Sequence, residues 1–163
     1  MAEENAARRS CGECTVCCDG WLSADIHGHK MGDGQPCHFL KGGKCSIYGS
    51  RPKVCRSFEC GWLMAGSRFP EEWRPDKVRF FIQPGEWDGG RCWLVHHAGQ
   101  DPDDEVLRVM REHTKATGEP HIIVKQNSWL CYGKPEFQQA MVSFKQSESP
   151  GAELKVNFLS KAE

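Results

Sequence analysis

From Lys77 to Gln83 the chain alternates well enough for a strand, with Val78, Phe80 and Ile82 on one face. Arg91 to His97 predicts a second strand. Pro84-Gly85 and Asp88-Gly89-Gly90 stand between the two, so a hairpin with a long loop is expected. The pattern then changes to a helical period, with Val106, Leu107 and Met110 forming the buried stripe. Asp101 is the expected N-cap, with Pro102 at the first helical position and Asp103, Asp104 and Glu105 in the first turn. Gly118 closes this helix, with Pro120 just beyond. His121 to Lys125 predicts a third strand, which completes a ββαβ unit. Ahead of it, Gly61 to Gly66 reads as a short helical turn and Phe69 to Asp76 as a loop. From Ser147 onward the chain is polar apart from Val156, Phe158 and Leu159, and a loose tail or one docked segment is expected there.

Before Gly61 the hydrophobic pattern is weak and cysteine takes over. The chain has 163 residues, enough for one domain with a real core, and it carries ten cysteines. Eight of the ten fall between Cys11 and Cys60. Met1 to Ser10 is polar, with no apolar stretch after it, which predicts no signal peptide and a cytoplasmic location. No apolar run approaches the ~20 residues that span a bilayer. A net charge of −1 argues against nucleic-acid or acidic-membrane partners. In a reducing compartment stable disulfides are rare, so metal or thiol redox chemistry is the better expectation for the cysteines.

The spacing sharpens that expectation. Cys11-Gly-Glu-Cys14 and Cys14-Thr-Val-Cys17 are overlapping C-x-x-C units, which let a tight turn aim its sulfurs at one centre. Three such cysteines plus a distant fourth is an iron–sulfur pattern, and tetrahedral zinc accepts the same spacing. Cys17 and Cys18 are adjacent; neighbouring side chains usually diverge, so one sulfur is expected in a first centre and the other in a second or in the core. Cys37, Cys45, Cys55 and Cys60 supply four more thiols. Two four-thiolate sites, one cluster plus zinc, and one cluster plus spare thiols all remain open. Charge favours a metal: residues 1 to 61 carry eight Lys/Arg and seven Asp/Glu, so ionising eight thiols takes this region from +1 to −7. Two divalent ions would bring it to −3.

The blocks Cys11-x-x-Cys14-x-x-Cys17-Cys18, Pro36-Cys37-His38-Phe39-Leu40, Cys45-Ser46-Ile47-Tyr48 and Arg51-Pro52-Lys53-Val54-Cys55-Arg56-Ser57-Phe58-Glu59-Cys60 resemble the zinc- or iron-chelating CxxCxxCC-type family, the YkgJ-like proteins. The resemblance covers residues 11 to 60. It implies a metal site made by Cys11, Cys14, Cys17, Cys18, Cys37, Cys45, Cys55 and Cys60, holding zinc or iron, a 4Fe–4S cluster included. Flagellin lysine N-methylase looks like a distant relative of that family. This keeps alive an iron–sulfur enzyme that transfers a methyl group from S-adenosylmethionine to a protein lysine. A thiol redox switch without metal is a further alternative.

Around the thiols, Gly42-Gly43-Lys44 predicts a tight turn, and Ile47, Tyr48, Val54 and Phe58 an apolar shell. Of the cations Arg51, Lys53 and Arg56, Arg56 is the one expected to support the ligands. His27, His29 and His38 are read mainly as surface histidines. His96 and His97 are expected to point to opposite sheet faces, and Trp93 with them to line a groove that takes a protein partner. Cys92 and Cys131 are expected to pack without binding metal, and the tryptophans, Trp62, Trp73 and Trp87 among them, to pack in the core and at its rim. The expected fold class is α+β: a tail at 1–10, a small cysteine-rich metal-binding N-terminal lobe over 11–61 packed on a ββαβ lobe over 62–146, and a tail at 147–163, together one domain.

Overall fold

The structure is a computed structural model and describes residues 9–146; most of the expected N-terminal tail and the whole C-terminal tail lie outside them. The chain is mixed α+β, with four helices and three sheets among the described residues.

The cysteine-rich segment is held by short pieces. A 3-10 turn, Val16–Asp19, precedes the hairpin of β1 (Ala24–Ile26) and β2 (His29–Met31). A second small hairpin joins β3 (Leu40–Lys41) to β4 (Lys44–Cys45). Its loop, Gly42-Gly43, has φ of 57° and 74°, the left-handed pair that a two-residue primed turn demands and that glycine adopts without Cβ strain. A 3-10 turn, Tyr48–Ser50, then leads into α1 (Lys53–Ser57).

The larger sheet follows. β5 (Phe80–Trp87), β6 (Gly90–His97), β7 (His121–Val124) and β8 (Trp129–Tyr132) lie in that order, with β6 and β7 parallel and the outer pairs antiparallel. The parallel step is bridged by α3 (Asp104–Thr117), as such a connection requires. The expected ββαβ order is therefore present, with four departures. Lys77 and Val78 belong to a helical turn, α2 (Pro75–Val78), which has Pro75 at its start and ends at Arg79 with φ 58°. The strand begins only at Phe80, and it runs on through Pro84-Gly85 to Trp87. Proline is tolerated there because β5 is an edge strand. The Ile82 carbonyl faces outward and accepts Gly61 N–H at 2.7 Å, and Pro84, two residues on, turns its missing N–H to that same side. Third, the hairpin loop is short, the two residues Asp88-Gly89 with φ of 50° and 73°. Fourth, the N-cap of α3 is Asp103, whose carboxylate accepts Val106 N–H at 3.1 Å, while Asp101 accepts Gln126 N–H at 2.8 Å. At the other end Gly118 closes α3 as expected, with φ 76° and its N–H on Thr114. Beyond β7, β8 and α4 (Pro135–Gln146) add elements that the pattern did not predict.

Both sheet faces are covered. Phe80, Ile82, Trp93, Val95 and Ile123 pack with Val106 and Met110 of α3 and with Trp62, Phe69 and Trp73. The other face carries Cys92, Leu94, Ile122 and Val124 under Phe137 and Met141 of α4. At the start of β5, Phe81 turns to this second face and, with Ala98, joins Val16, Leu22, Ile26 and Met31 of the cysteine-rich segment in a third cluster. Burying such side chains contributes about 1.5–3 kcal/mol each, so the segment rests on the sheet through apolar contact.

Candidate functional site

The thiols are brought together by backbone geometry that can be followed link by link. Cys14 N–H donates to the Cys11 carbonyl at 2.8 Å, closing the first C-x-x-C as a tight turn, with Gly12 at φ 53° inside it. Cys17 and Cys18 sit in the 3-10 turn, which is pinned by Cys18 and Asp19 N–H donation to the Thr15 carbonyl at 2.8 and 2.9 Å. Cys37 N–H then donates to the Cys18 carbonyl at 2.8 Å, and Leu40 N–H to the Cys37 carbonyl at 3.0 Å. Leu40 pairs with Cys45 across the small hairpin. Cys55 lies in α1, where its N–H donates to the Pro52 carbonyl at 3.0 Å.

These segments surround a cleft of about 1910 Å³ lined by seven thiols, those of Cys11, Cys14, Cys17, Cys18, Cys37, Cys45 and Cys55. Leu22, Ile26, Met31, Ile47 and Phe58 add apolar wall. Cys60 is not in the wall. It packs against the cluster of Trp62, Phe69 and Phe80, and the backbone N–H groups of Trp62, Ile82 and Leu63 approach its sulfur. Burial raises its pKa, and those N–H groups oppose the rise. All ten cysteines are free thiols.

Electrostatics separates the thiols further. Cys17 and Cys18 do not diverge as expected: their sulfurs lie 4.0 Å apart. Either thiol can donate to the other; with the proton on Cys17, Cys18 comes down to about 7 against the opposing effect of burial, and Cys17 is raised. Cys11 is raised by burial and then by the Cys14 thiol. Cys55 is raised by burial and then by Cys18, Cys37 and Cys45. Arg9, Lys44 and Arg51 line the cleft; of these Arg51, 3.8 Å over the Tyr48 ring, favours ionisation at Cys11, Cys18 and Cys55, and Arg74 adds to the effect at Cys11. Arg56 is exposed on α1 and outside the cleft wall.

One contributor carried no pattern in the sequence. Arg9 forms an ion pair with Glu71 at 2.7 Å and donates to the carbonyls of Trp62 and Phe69, each at 2.8 Å. It also reaches Ser67 Oγ at 3.2 Å and lies 5.0 Å from the Trp62 ring centre. A lone arginine before the first cysteine gives no periodic signal, and its partners are more than fifty residues away.

The other weighed residues lie elsewhere. His29 and His38 stack at 3.7 Å beside Phe39 on the surface. His96 and His97 also stack, at 4.8 Å, instead of pointing to opposite faces. His96 lies on Phe81 and His97 on Trp21, and Trp93 is in the core, so none of the three lines the cleft. Trp62 and Trp73 are core residues and Trp87 packs on Phe137. Cys92 is fully buried and Cys131 packs beside it.

The donor set fits a thiophilic metal: soft sulfurs on several chain segments, with a guanidinium to offset anionic charge. As the side chains stand, no three His, Cys, Asp or Glu among the described residues close on one ion position, so holding an ion requires the thiols to move closer together. No helix among the described residues is long and apolar enough to cross a membrane. No protein-family model matches the chain, and neither the curated proteins nor the solved structures give a match. A function for the chain is therefore argued from the site itself.

Proposed function

We propose that this protein binds zinc or iron through the cysteines of residues 11–60, in a small cysteine-rich lobe that rests on the ββαβ unit, within a reducing, cytoplasmic compartment. The observation that carries the reading is the convergence of seven thiols from separated segments on one cleft, with Arg51 facing them. Packing alone gives no reason for this: the two cysteines that do pack in the sheet core, Cys92 and Cys131, lie outside the cleft. The CxxCxxCC-type spacing supports the same reading. The test is anaerobic purification without chelator followed by elemental analysis: bound metal of order one or two per chain is expected, and less than about 0.2 overturns the reading. A broad band near about 400 nm then marks an iron–sulfur cluster, and colourless metal-loaded protein marks zinc.

A second reading is favoured by the 4.0 Å approach of the Cys17 and Cys18 sulfurs. In it the two thiols exchange with a partner disulfide: they join as a disulfide, and the partner is reduced to two thiols. Mass spectrometry after mild oxidation, with and without metal, separates the readings. A Cys17–Cys18 disulfide that forms quickly in protein as purified supports the redox role. No observation in the cleft adds to the methyl-transfer alternative.

A further inference from the structure

We propose that the eight cysteines divide into two sets of four, Cys11, Cys14, Cys17 and Cys60 around one metal centre and Cys18, Cys37, Cys45 and Cys55 around another, with the Arg9 side chain clasping the first set together. The proposal rests on the metal reading above and specifies which sulfurs share an ion.

The second set is tied by main-chain geometry. Cys37 is hydrogen-bonded directly to the Cys18 carbonyl, and the Cys37 carbonyl holds Leu40, the pairing partner of Cys45. Cys55, on α1, lines the same cleft as Cys18, Cys37, Cys45 and Arg51.

The first set has a different frame. Cys11, Cys14 and Cys17 recur at every third position, and the backbone turn from Cys11 to Cys14 holds the first pair in the cleft wall. Their fourth member must come from elsewhere in the chain. Cys60 is placed for that role by the Arg9 clasp. Two residues before Cys11, Arg9 grips the Trp62 carbonyl, two residues after Cys60, and also Phe69, Ser67 and Glu71. The clasp therefore fixes the start of the cysteine loop against the turn that contains Cys60. A guanidinium fork with two carbonyls and a carboxylate holds geometry better than an ammonium could.

The adjacent pair Cys17 and Cys18 forms the seam. The Cys18 main chain belongs to the Cys37 side, while Cys17 follows Cys14 by the same three-residue step that separates Cys14 from Cys11. With one sulfur in each set, two ions share eight donors and no cysteine is left over.

The full chain, purified anaerobically and stripped, is titrated with Co²⁺, whose thiolate complexes absorb visibly, and then with Zn²⁺ in competition. Two equivalents of Co²⁺ are expected. Cys14→Ser and Cys60→Ser should each leave one equivalent, and so should the two together, whereas Cys60→Ser with Cys45→Ser should leave none. A within-set double variant that loses both ions, or a cross-set double no worse than its singles, overturns the partition. Because serine variants can misfold, the unaltered chain gives a second measurement: graded chelation with iodoacetamide should alkylate the thiols in two sets of four, and mixed sets overturn the proposal. Absence of any bound metal overturns the metal reading itself, and one ion shared by thiols of both sets overturns only the partition. Arg9→Ala should weaken the first centre by about tenfold or more and leave the second unchanged; equal weakening of both overturns the role of the clasp.

Discussion

Replacing Gly20 by alanine tests the link between the cysteine-bearing 3-10 turn and the segment that delivers Cys37. Gly20 caps that turn with φ 100° and is buried. Its carbonyl accepts Gly34 N–H at 3.0 Å, and a Cβ built on it would lie 2.5 Å from both the carbonyl carbon and oxygen of Gln35 and 2.7 Å from its nitrogen. Two costs follow. A side chain in the left-handed region costs roughly 1–2 kcal/mol. An overlap with backbone, which cannot rotate away, adds about 1–3 kcal/mol by analogy with overpacked cores. The total is about 2–5 kcal/mol, a large share of the roughly 5–15 kcal/mol that holds a domain folded. Gly34→Ala is the control, because it borders the same contact at φ 83° with nothing within 4 Å of its Cβ, so it should show the first cost alone. Urea unfolding of both variants measures the difference, with Cys18 and Cys37 alkylation rates as the local readout. If Gly20→Ala lies within about 0.5 kcal/mol of Gly34→Ala, the close approach of residues 20 and 35 is wrong, and with it the route that brings Cys37 to Cys18.

Two further predictions concern the sheet and its helix. Burial pushes the Cys92 thiol up to about 12, above its unfolded value of about 8.5, so its contribution to stability is fully present below pH 8.5 and is lost as pH rises toward 12. The stability advantage of wild type over Cys92→Ala, measured by urea midpoints from pH 8 upward, should therefore shrink with pH, and a constant difference refutes the assignment. Asp103→Ala should cost about 1 kcal/mol and fray the start of α3 in hydrogen exchange; equal fraying from Asp101→Ala would restore the N-cap that the sequence suggests.

The larger sheet was legible where periodicity dominates. Phe80-Phe81-Ile82 and Trp93-Leu94-Val95 are buried on both faces and rich in β-formers, and the Val106–Met110 stripe reads as a helix on its own. The errors fall where local chemistry competes. Pro102 drew the helix start toward Asp101, yet the side chain that caps is Asp103, because the backbone enters the helix one residue after it. Pro84-Gly85 looked like a breaker, but an edge strand tolerates a proline whose nitrogen faces away from its neighbour. β8 and α4 were missed because Trp129-Leu130-Cys131-Tyr132 shows little alternation and α4 mixes Phe137 and Met141 with polar positions. Seven of the eight cysteines that the spacing groups together line one cleft. The placement of Cys60 behind the cleft wall, the choice of Arg51 over Arg56 and the Arg9 clasp were not legible in the sequence, because each depends on contacts between distant parts of the chain.

Those contacts also bear on how the thiols meet a metal. The cysteine segments are too short to hold shape alone: two-residue strands, a four-residue 3-10 turn and a five-residue helix. Their positions come instead from Val16, Leu22, Ile26 and Met31 packed on Phe81 and Ala98, and from main-chain bonds such as that of Cys37 to Cys18. Apolar packing therefore sets where the backbone segments stand. Ionisation follows the same division. Burial, with neighbouring thiols adding to it, raises Cys11, Cys55 and Cys60, so these thiols keep their protons while no cation is bound. On the proposed metal reading, an ion must displace those protons before it gains its thiolates. On the same reading, affinity should then rise with pH through the thiol range, and the charge on Cys11, Cys55 and Cys60 arises only as an ion arrives to offset it.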